Sequence, residues 1–253
     1  MQLHFKKYGE TGEALIILHG FLGSLDNWHS LAIEFGKKYR VFSLDLRNHG
    51  KSPHTEFHSI NLMVDDLNAF MQQQNISSAF ILGHSMGAKV AMQFATKFPE
   101  KTIKLIAVDM SPRQYQRGHD NVIEVLNTLE LQKIKSRKHA DEIISAKIPE
   151  LALRQFLLKN LVRTELGFKW KINLLVLERD YTEIVKACVF KTQFTKPTLF
   201  IKGENSNYIL ADDEKIIHSH FSDVKIIPIS NAGHWVHADN PREFLNAVLN
   251  FLR

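Results

Sequence analysis

The chain has 253 residues, 44% hydrophobic and 23% charged, which suits one large globular domain or a domain with an insertion and excludes disorder and fibrous repeats. No apolar run approaches the ~18 to 20 residues a membrane helix needs, and the start MQLHFKKYGE lacks a signal-peptide core. The single cysteine, Cys188, allows no internal disulfide, so a reducing, cytoplasmic setting is expected. The net charge of +5 is unevenly placed, because Pro112 to Lys196 holds sixteen Lys and Arg against ten Asp and Glu, and the rest holds sixteen against seventeen. A solvated helical face accounts for that excess, and an anionic substrate near this segment is the alternative. Nucleic acid is a poor partner, since the densest cluster, KIKSRK at 133–138, has no interleaved aromatics and no nucleic-acid fold signature is present.

In chain order, 3–8 reads as an edge strand and ALIILH at 14–19 as a fully buried one, because it shows no polar alternation. A helix around 27–35 precedes a strand at 40–46, and apolar residues at 60, 62, 63, 67, 70 and 71 place a helix over 60–73. AFILGH at 79–84 is a buried strand, 86–98 a helix stopped by Pro99, and 103–108 another buried strand. From 112 to about 190 the patterns are helical: 122–134, 140–148, a run opened by Pro149, and a final helix near 178–188. Phe168, Trp170 and Ile172 alternate briefly, which marks a short extended piece among them. Strand and helix then resume, with strands at 198–203 and 224–229 and helices at 212–221 and 241–253. The expected fold is α/β, a mostly parallel sheet flanked by helices, with residues 1–111 and 191–253 as core and 112–190 as an inserted helical cap.

The strongest chemical signal is Gly83-His84-Ser85-Met86-Gly87, a G-x-S-x-G pattern at the turn between a buried strand and a helix. Glycines on both sides permit a tight turn from which Ser85 projects, with the helix N-terminus favouring negative charge. A serine hydroxyl needs a base, and the base needs an acid. Of thirteen histidines, His234 lies in Asn231-Ala232-Gly233-His234-Trp235, a loop directly after the last strand, where it can reach the sheet's C-terminal edge. His237 is its nearest competitor, and His54, His58, His218 and His220 are expected in solvent.

With these motifs the chain resembles the α/β-hydrolases, as it does in His19-Gly20-Phe21-Leu22-Gly23-Ser24 and Asp45-Leu46-Arg47-Asn48-His49-Gly50-Lys51-Ser52, each after a strand. The resemblance covers nearly the whole chain, the cap least. It implies an oxyanion hole formed by the Phe21 and Met86 amides, while Asp45, Arg47 and His49 read as loop-bracing residues. The acid departs from the common pattern, since Gly203-Glu204-Asn205-Ser206 has serine where the family usually carries aspartate. Asp109, at the end of the strand before the cap, is the expected replacement, as in the small bacterial esterases of the YbfF type, with Glu204, Asp212 and Asp213 as alternatives. Ser206 is expected to hydrogen-bond His234 or Asp109 as a fourth member.

The function implied is hydrolysis of a small-molecule carboxylic ester or thioester, with an acyl-CoA as the weaker extension drawn from the cap's basic excess. A lyase or carbon–carbon bond hydrolase on the same triad, or a non-catalytic binding protein, are the alternatives. Phe21, Phe168, Trp170 and Trp235 are the expected substrate-binding residues, although Leu151, Phe156, Leu161, Phe168, Trp170 and Leu174 also stand at spacings ordinary for internal packing. No metal site or cofactor is implied: HExxH, a thiolate cluster and nucleotide-binding glycine patterns are all missing from the sequence. A monomer and a homodimer are equally compatible.

Overall fold

The computed structural model describes residues 1–165 and 167–253. The elements in chain order are β1 (Phe5–Tyr8), β2 (Ala14–Leu18), α1 (His29–Gly36), β3 (Arg40–Leu44), α2 (Ile60–Gln73), β4 (Ala79–His84), α3 (Met86–Lys97) and β5 (Thr102–Val108). The inserted segment then carries α4 (Asp120–Asn127), α5 (Arg137–Ser145), α6 (Leu151–Leu158), β6 (Leu161–Thr164), β7 (Gly167–Trp170), α7 (Leu174–Arg179) and α8 (Tyr181–Val185). The chain closes with β8 (Thr198–Gly203), α9 (Asp213–His220), β9 (Val224–Ile229), α10 (Val236–Asp239) and α11 (Pro241–Leu252).

Seven strands form one sheet in the order β1-β3-β2-β4-β5-β8-β9. Only β1 runs antiparallel to its neighbour; β2, β3, β4, β5, β8 and β9 pair in parallel. Both faces of the central strands are covered, which is why β2 and β4 read as unbroken apolar runs. Alternate residues still part to opposite sides. Ala14, Ile16 and Leu18 of β2 pack with Met63, Leu67 and Phe70 of α2 and with Val90 and Phe94 of α3. Leu15 and Ile17 pack with Leu31 and Phe35 of α1 and with Phe244 and Val248 of α11. The helices open on local signals: Ser59 accepts the Leu62 N–H ahead of α2, and Asn240 accepts the Glu243 N–H ahead of α11, where Pro241 occupies the first turn.

Between β5 and β8 the structure departs from the helical reading, and the expected 178–188 helix is two short ones, α7 and α8. β6 and β7 pair antiparallel, Leu161 with Trp170 and Arg163 with Phe168. Val162, Thr164, Phe168 and Trp170 are β-branched or aromatic, and a two-strand ribbon lets such side chains alternate between the cap's interior and its surface. The expected 122–134 helix ends at Asn127, and Pro149 lies outside α6, whose N-cap is Glu150. The insertion is tied to the core by polar contacts: Asn160 Nδ2 donates to Leu22 O (2.7 Å), Asn173 N to Asn48 O (2.9 Å), and His58 N to Asp180 Oδ2 (2.8 Å). Among the described residues no helix is long and apolar enough to cross a membrane.

The loop after β3 is anchored by a buried ion pair, Arg47 Nε and Nη2 reaching the two Asp66 oxygens at 2.6 and 2.8 Å. Removing Arg47 leaves the buried Asp66 with only the Met1 amino group, at 3.7 Å, as a charge partner, so Arg47→Ala is expected to lower unfolding stability by about 3 kcal/mol in urea titrations; an unchanged midpoint contradicts the anchoring role.

Candidate active site

Ser85 stands between β4 and α3 at φ 54° and ψ −117°, a conformation that a non-glycine residue adopts only under constraint. The glycines two residues to either side cannot carry side chains. A Cβ on Gly83 would lie 2.1 Å from Gly87 O, and one on Gly87 would lie 2.4 Å from Leu18 O. The Ser85 N–H is held by Val108 O of the adjacent strand at 3.0 Å, and its carbonyl accepts the Ala88 and Lys89 N–H groups that open α3. The side chain is thereby fixed at the C-terminal edge of the sheet.

His234 reaches the same edge from the loop after β9. Its Nε2 lies 3.0 Å from Ser85 Oγ and its Nδ1 2.7 Å from Asp109 Oδ2. Asp109 directly follows β5, fully buried and at φ 48°. The Gly203 N–H donates to its Oδ1 at 3.1 Å, and the Ser206 hydroxyl donates to its Oδ2 beside His234. Ser206 therefore contacts the carboxylate rather than the imidazole. The other acidic candidates point elsewhere: Glu204 accepts the Asn231 N–H at 2.9 Å, Asp212 is exposed, and Asp213 pairs with Arg113 at 3.0 Å. Two further residues hold the imidazole that the sequence did not single out. Tyr208 stacks on the His234 ring at 3.7 Å between centroids, and His84 Nε2 donates to the His234 carbonyl at 2.8 Å. The only clue to His84 was its place inside the G-x-S-x-G motif.

The Phe21 loop crosses directly over the serine. A Cβ on Gly20 would meet His84 Nδ1 at 2.8 Å and the Ser85 Cβ at 3.2 Å, so this peptide must be glycine. Two loops lock one another here. His19 Nε2 accepts the Leu46 N–H (3.0 Å), His49 Nε2 accepts the Leu22 N–H (3.2 Å), and Asp45 Oδ1 accepts the Leu25 N–H (2.8 Å). Among the described residues the Phe21 N–H has no acceptor, and Met86, as first residue of α3, has none within its helix. Both amides are free to serve an incoming oxygen.

Two cavities, of about 210 and 320 Å³, meet at Ser85, Phe21, His119 and His234. The first runs under α6 and is lined by Val122, Leu153, Phe156 and Trp235. The second runs along α3 and is lined by Met86, Lys89, Met110, Tyr115 and Tyr208. Phe168 and Trp170 line neither, which corrects their expected role: both sit on the β6–β7 hairpin and pack, partly buried, against the hydrophobic core. Of the other apolar cap residues, Phe156 lines the first arm, Leu161 and Leu174 are buried in packing, and Leu151 is exposed.

A profile of the alpha/beta hydrolase fold matches residues 13–129. The sn-1-specific diacylglycerol lipase ABHD11 of Xenopus laevis is 36% identical over 249 residues, covering 95% of this chain and 80% of that protein. Esterase YbfF of Escherichia coli (strain K12) is 33% identical over 239 residues, covering 94% of this chain and 92% of that protein. The chain belongs to the α/β-hydrolase family. A solved structure titled "Marine microorganism esterase" superposes with a TM-score of 0.97 at 40% identity, covering 99% of both chains. This α/β-hydrolase is thus of the esterase/lipase type, a carboxylic ester hydrolase, in agreement with the resemblance read from its motifs.

Two buried histidines, His58 in the loop after β3 and His237 lining the first arm, are expected to make the fold's stability depend on pH. His58, expected in solvent, is 1% exposed because the cap closes over it, and neither ring nitrogen has a partner; His237 stacks on Trp28 at 4.2 Å with Nδ1 unpartnered. Burial, with Arg47 nearby, holds His58 down at about 3; burial, with His234 nearby, holds His237 at about 3. The unfolded chain binds these protons first, so stability is full above pH 6.5 and falls as pH drops toward 3, by about 1.4 kcal/mol per unit for each ring. Urea unfolding at pH 5.5 is expected to show roughly 2 kcal/mol or more less stability than at pH 7.5; equal stabilities contradict the neutral burial of these rings.

Proposed function

We propose that this chain hydrolyses small-molecule carboxylic esters and thioesters through an acyl-enzyme on Ser85. The observation that carries the reading is the unbroken chain from Ser85 Oγ to His234 Nε2 (3.0 Å) and from His234 Nδ1 to Asp109 Oδ2 (2.7 Å). As Ser85 attacks the acyl carbonyl, His234 removes the hydroxyl proton, and Asp109 orients the ring and stabilises its cation. The Phe21 and Met86 amides hold the oxyanion, each such donor being worth on the order of 100- to 1,000-fold in rate. His234 returns the proton to the departing alcohol or thiol, and a water then repeats the attack on the acyl-enzyme. Ser206 and Gly203 fix the Asp109 carboxylate, and Phe21, Trp235 and Phe156 enclose the substrate beside the serine.

A thioester of acyl-CoA type is favoured by a cap feature. A cavity of about 470 Å³ on the outer side of α6 is lined by Arg137, Lys138, Lys159 and Lys171 against Asp26 and Asp141, and shares Gln155 and Lys159 with the first arm. Polyphosphate at that mouth would place a thioester's acyl end toward Ser85. The lyase and carbon–carbon hydrolase readings use the same residues, and turnover of simple neutral esters separates them from hydrolysis.

The test is a kinetic panel of neutral esters of rising acyl length, a diacylglycerol and acyl-CoAs. Wild type is expected to turn over esters, and Ser85→Ala to lose about a million-fold in kcat. Silence across the panel favours the lyase or binding readings. A second experiment assigns the acid: Asp109→Asn is expected to lose about 10,000-fold in kcat, and Glu204→Gln to stay within about threefold. The reverse pattern overturns Asp109.

A further inference from the structure

Lys89 is a buried cation that the hydrolytic mechanism leaves unused. It stands on α3 one turn beyond Ser85, is 1% exposed, and lines the second arm of the site. Its ammonium donates to the carbonyls of Val185 (3.1 Å) and Lys186 (2.6 Å) and lies 4.9 Å from the Tyr115 ring centroid. An ammonium has three N–H donors, and two are taken. No carboxylate lines this arm among the described residues, and Lys89 is its only Lys or Arg. The nearest other cation, Arg113, is paired with Asp213. The first arm contrasts, since Lys159 and Asp239 both line it. A buried charge met only by carbonyl dipoles and a ring face is poorly compensated, and an anion brought into the arm would complete it.

We propose that the second arm receives the carboxylate end of an acyl group, with Lys89 as the residue that selects half-esters of short dicarboxylic acids. This rests on the esterase reading above and names a substrate class for it. The four residues from Ser85 to Lys89 rise about 6 Å along the helix, which suits a carboxylate two or three methylenes beyond the scissile carbonyl. In the reaction the ester C–O bond breaks, one water is consumed, and the alcohol, a dicarboxylate and one proton are released; the distal carboxylate takes no part in bond making.

The charge on Lys89 is itself adjustable. Burial, partly opposed by the Cys188 thiol, lowers its pKa to about 8. Of the groups facing it, burial pushes Cys188 and Tyr208 up to about 12, raises Tyr115 and Tyr181, and holds His119 at about 4, and His234, which lines the same arm, acts on half-esters and neutral esters alike, so the preference between them reads Lys89. Arg113 is tied to Asp213, and Lys186 to Glu183.

The experiment compares kcat/KM for monoethyl succinate and monoethyl glutarate with that for ethyl valerate and ethyl hexanoate, in wild type and Lys89→Met. Wild type is expected to prefer the half-esters, and Lys89→Met to reduce that preference roughly tenfold or more, the scale of one charge-assisted hydrogen bond. Equal losses on both substrate classes would mean that Lys89 only latches the cap, and overturn the proposal. A wild type that hydrolyses the neutral esters without preferring half-esters overturns it and leaves the esterase reading standing; one that hydrolyses neither overturns both. The pH dependence of wild type needs no variant: the half-ester preference should decline as pH rises through about 8, as Lys89 loses its charge. A preference flat from pH 6.5 to 9.5 contradicts the role of Lys89.

Discussion

One constrained residue organises the site. Ser85 is held at φ 54°, a conformation that costs about 1 to 3 kcal/mol and persists only where the surroundings over-determine it. Here they do. Gly83 and Gly87 remove the side chains that would collide, Val108 fixes the Ser85 amide, and α3 starts at once behind it. The corner aims Oγ away from the sheet and leaves the Met86 N–H free on the same side. Every other contact at the site is arranged around that fixed oxygen.

The carboxylate beside His234 shows how a sheet can serve one geometry from more than one strand. Asp109 follows β5 and Ser206 follows β8, and β5 and β8 are neighbours, so both loops face the His234 ring. Moving the carboxylate one strand over therefore preserves its approach to Nδ1. The serine left at the later position becomes a donor to that carboxylate, and its backbone continues to Tyr208, which stacks on the base. The same loop also borders the arm that contains Lys89, so the His234 ring and that cavity share their supports.

Much of this was legible in the residues. Buried apolar runs marked β2, β4 and β5, the helical period marked α2, Pro99 marked the end of α3, and G-x-S-x-G at a strand-to-helix turn pointed to Ser85. His234 was pointed to by its loop position after the last strand, and Asp109 by its strand end together with the resemblance to the YbfF-type esterases. The cap was less legible, because alternation over Phe168 to Ile172 signals a strand but not its partner, and pairing with Leu161 to Thr164 depends on the register of a hairpin. For the same reason Phe168 and Trp170 were misplaced: an aromatic at a strand-like spacing does not reveal which face meets a cavity. His58 was read as solvated since it lies in a loop, and its burial depends on distant partners, the His49 ring beside it and Asp180 accepting its amide. Lys89 gave no signal, because a lysine four residues past the serine in an amphipathic helix looks like a solvated one.

The central claim is that Ser85 becomes acylated and that water releases the acyl group. Rapid mixing with an activated ester, acid quench and peptide mass analysis tests this most directly. The account predicts an acyl adduct on the peptide that contains Ser85, formed in a burst of about one equivalent and missing in Ser85→Ala. Turnover without an adduct, or an adduct on another residue, would contradict it.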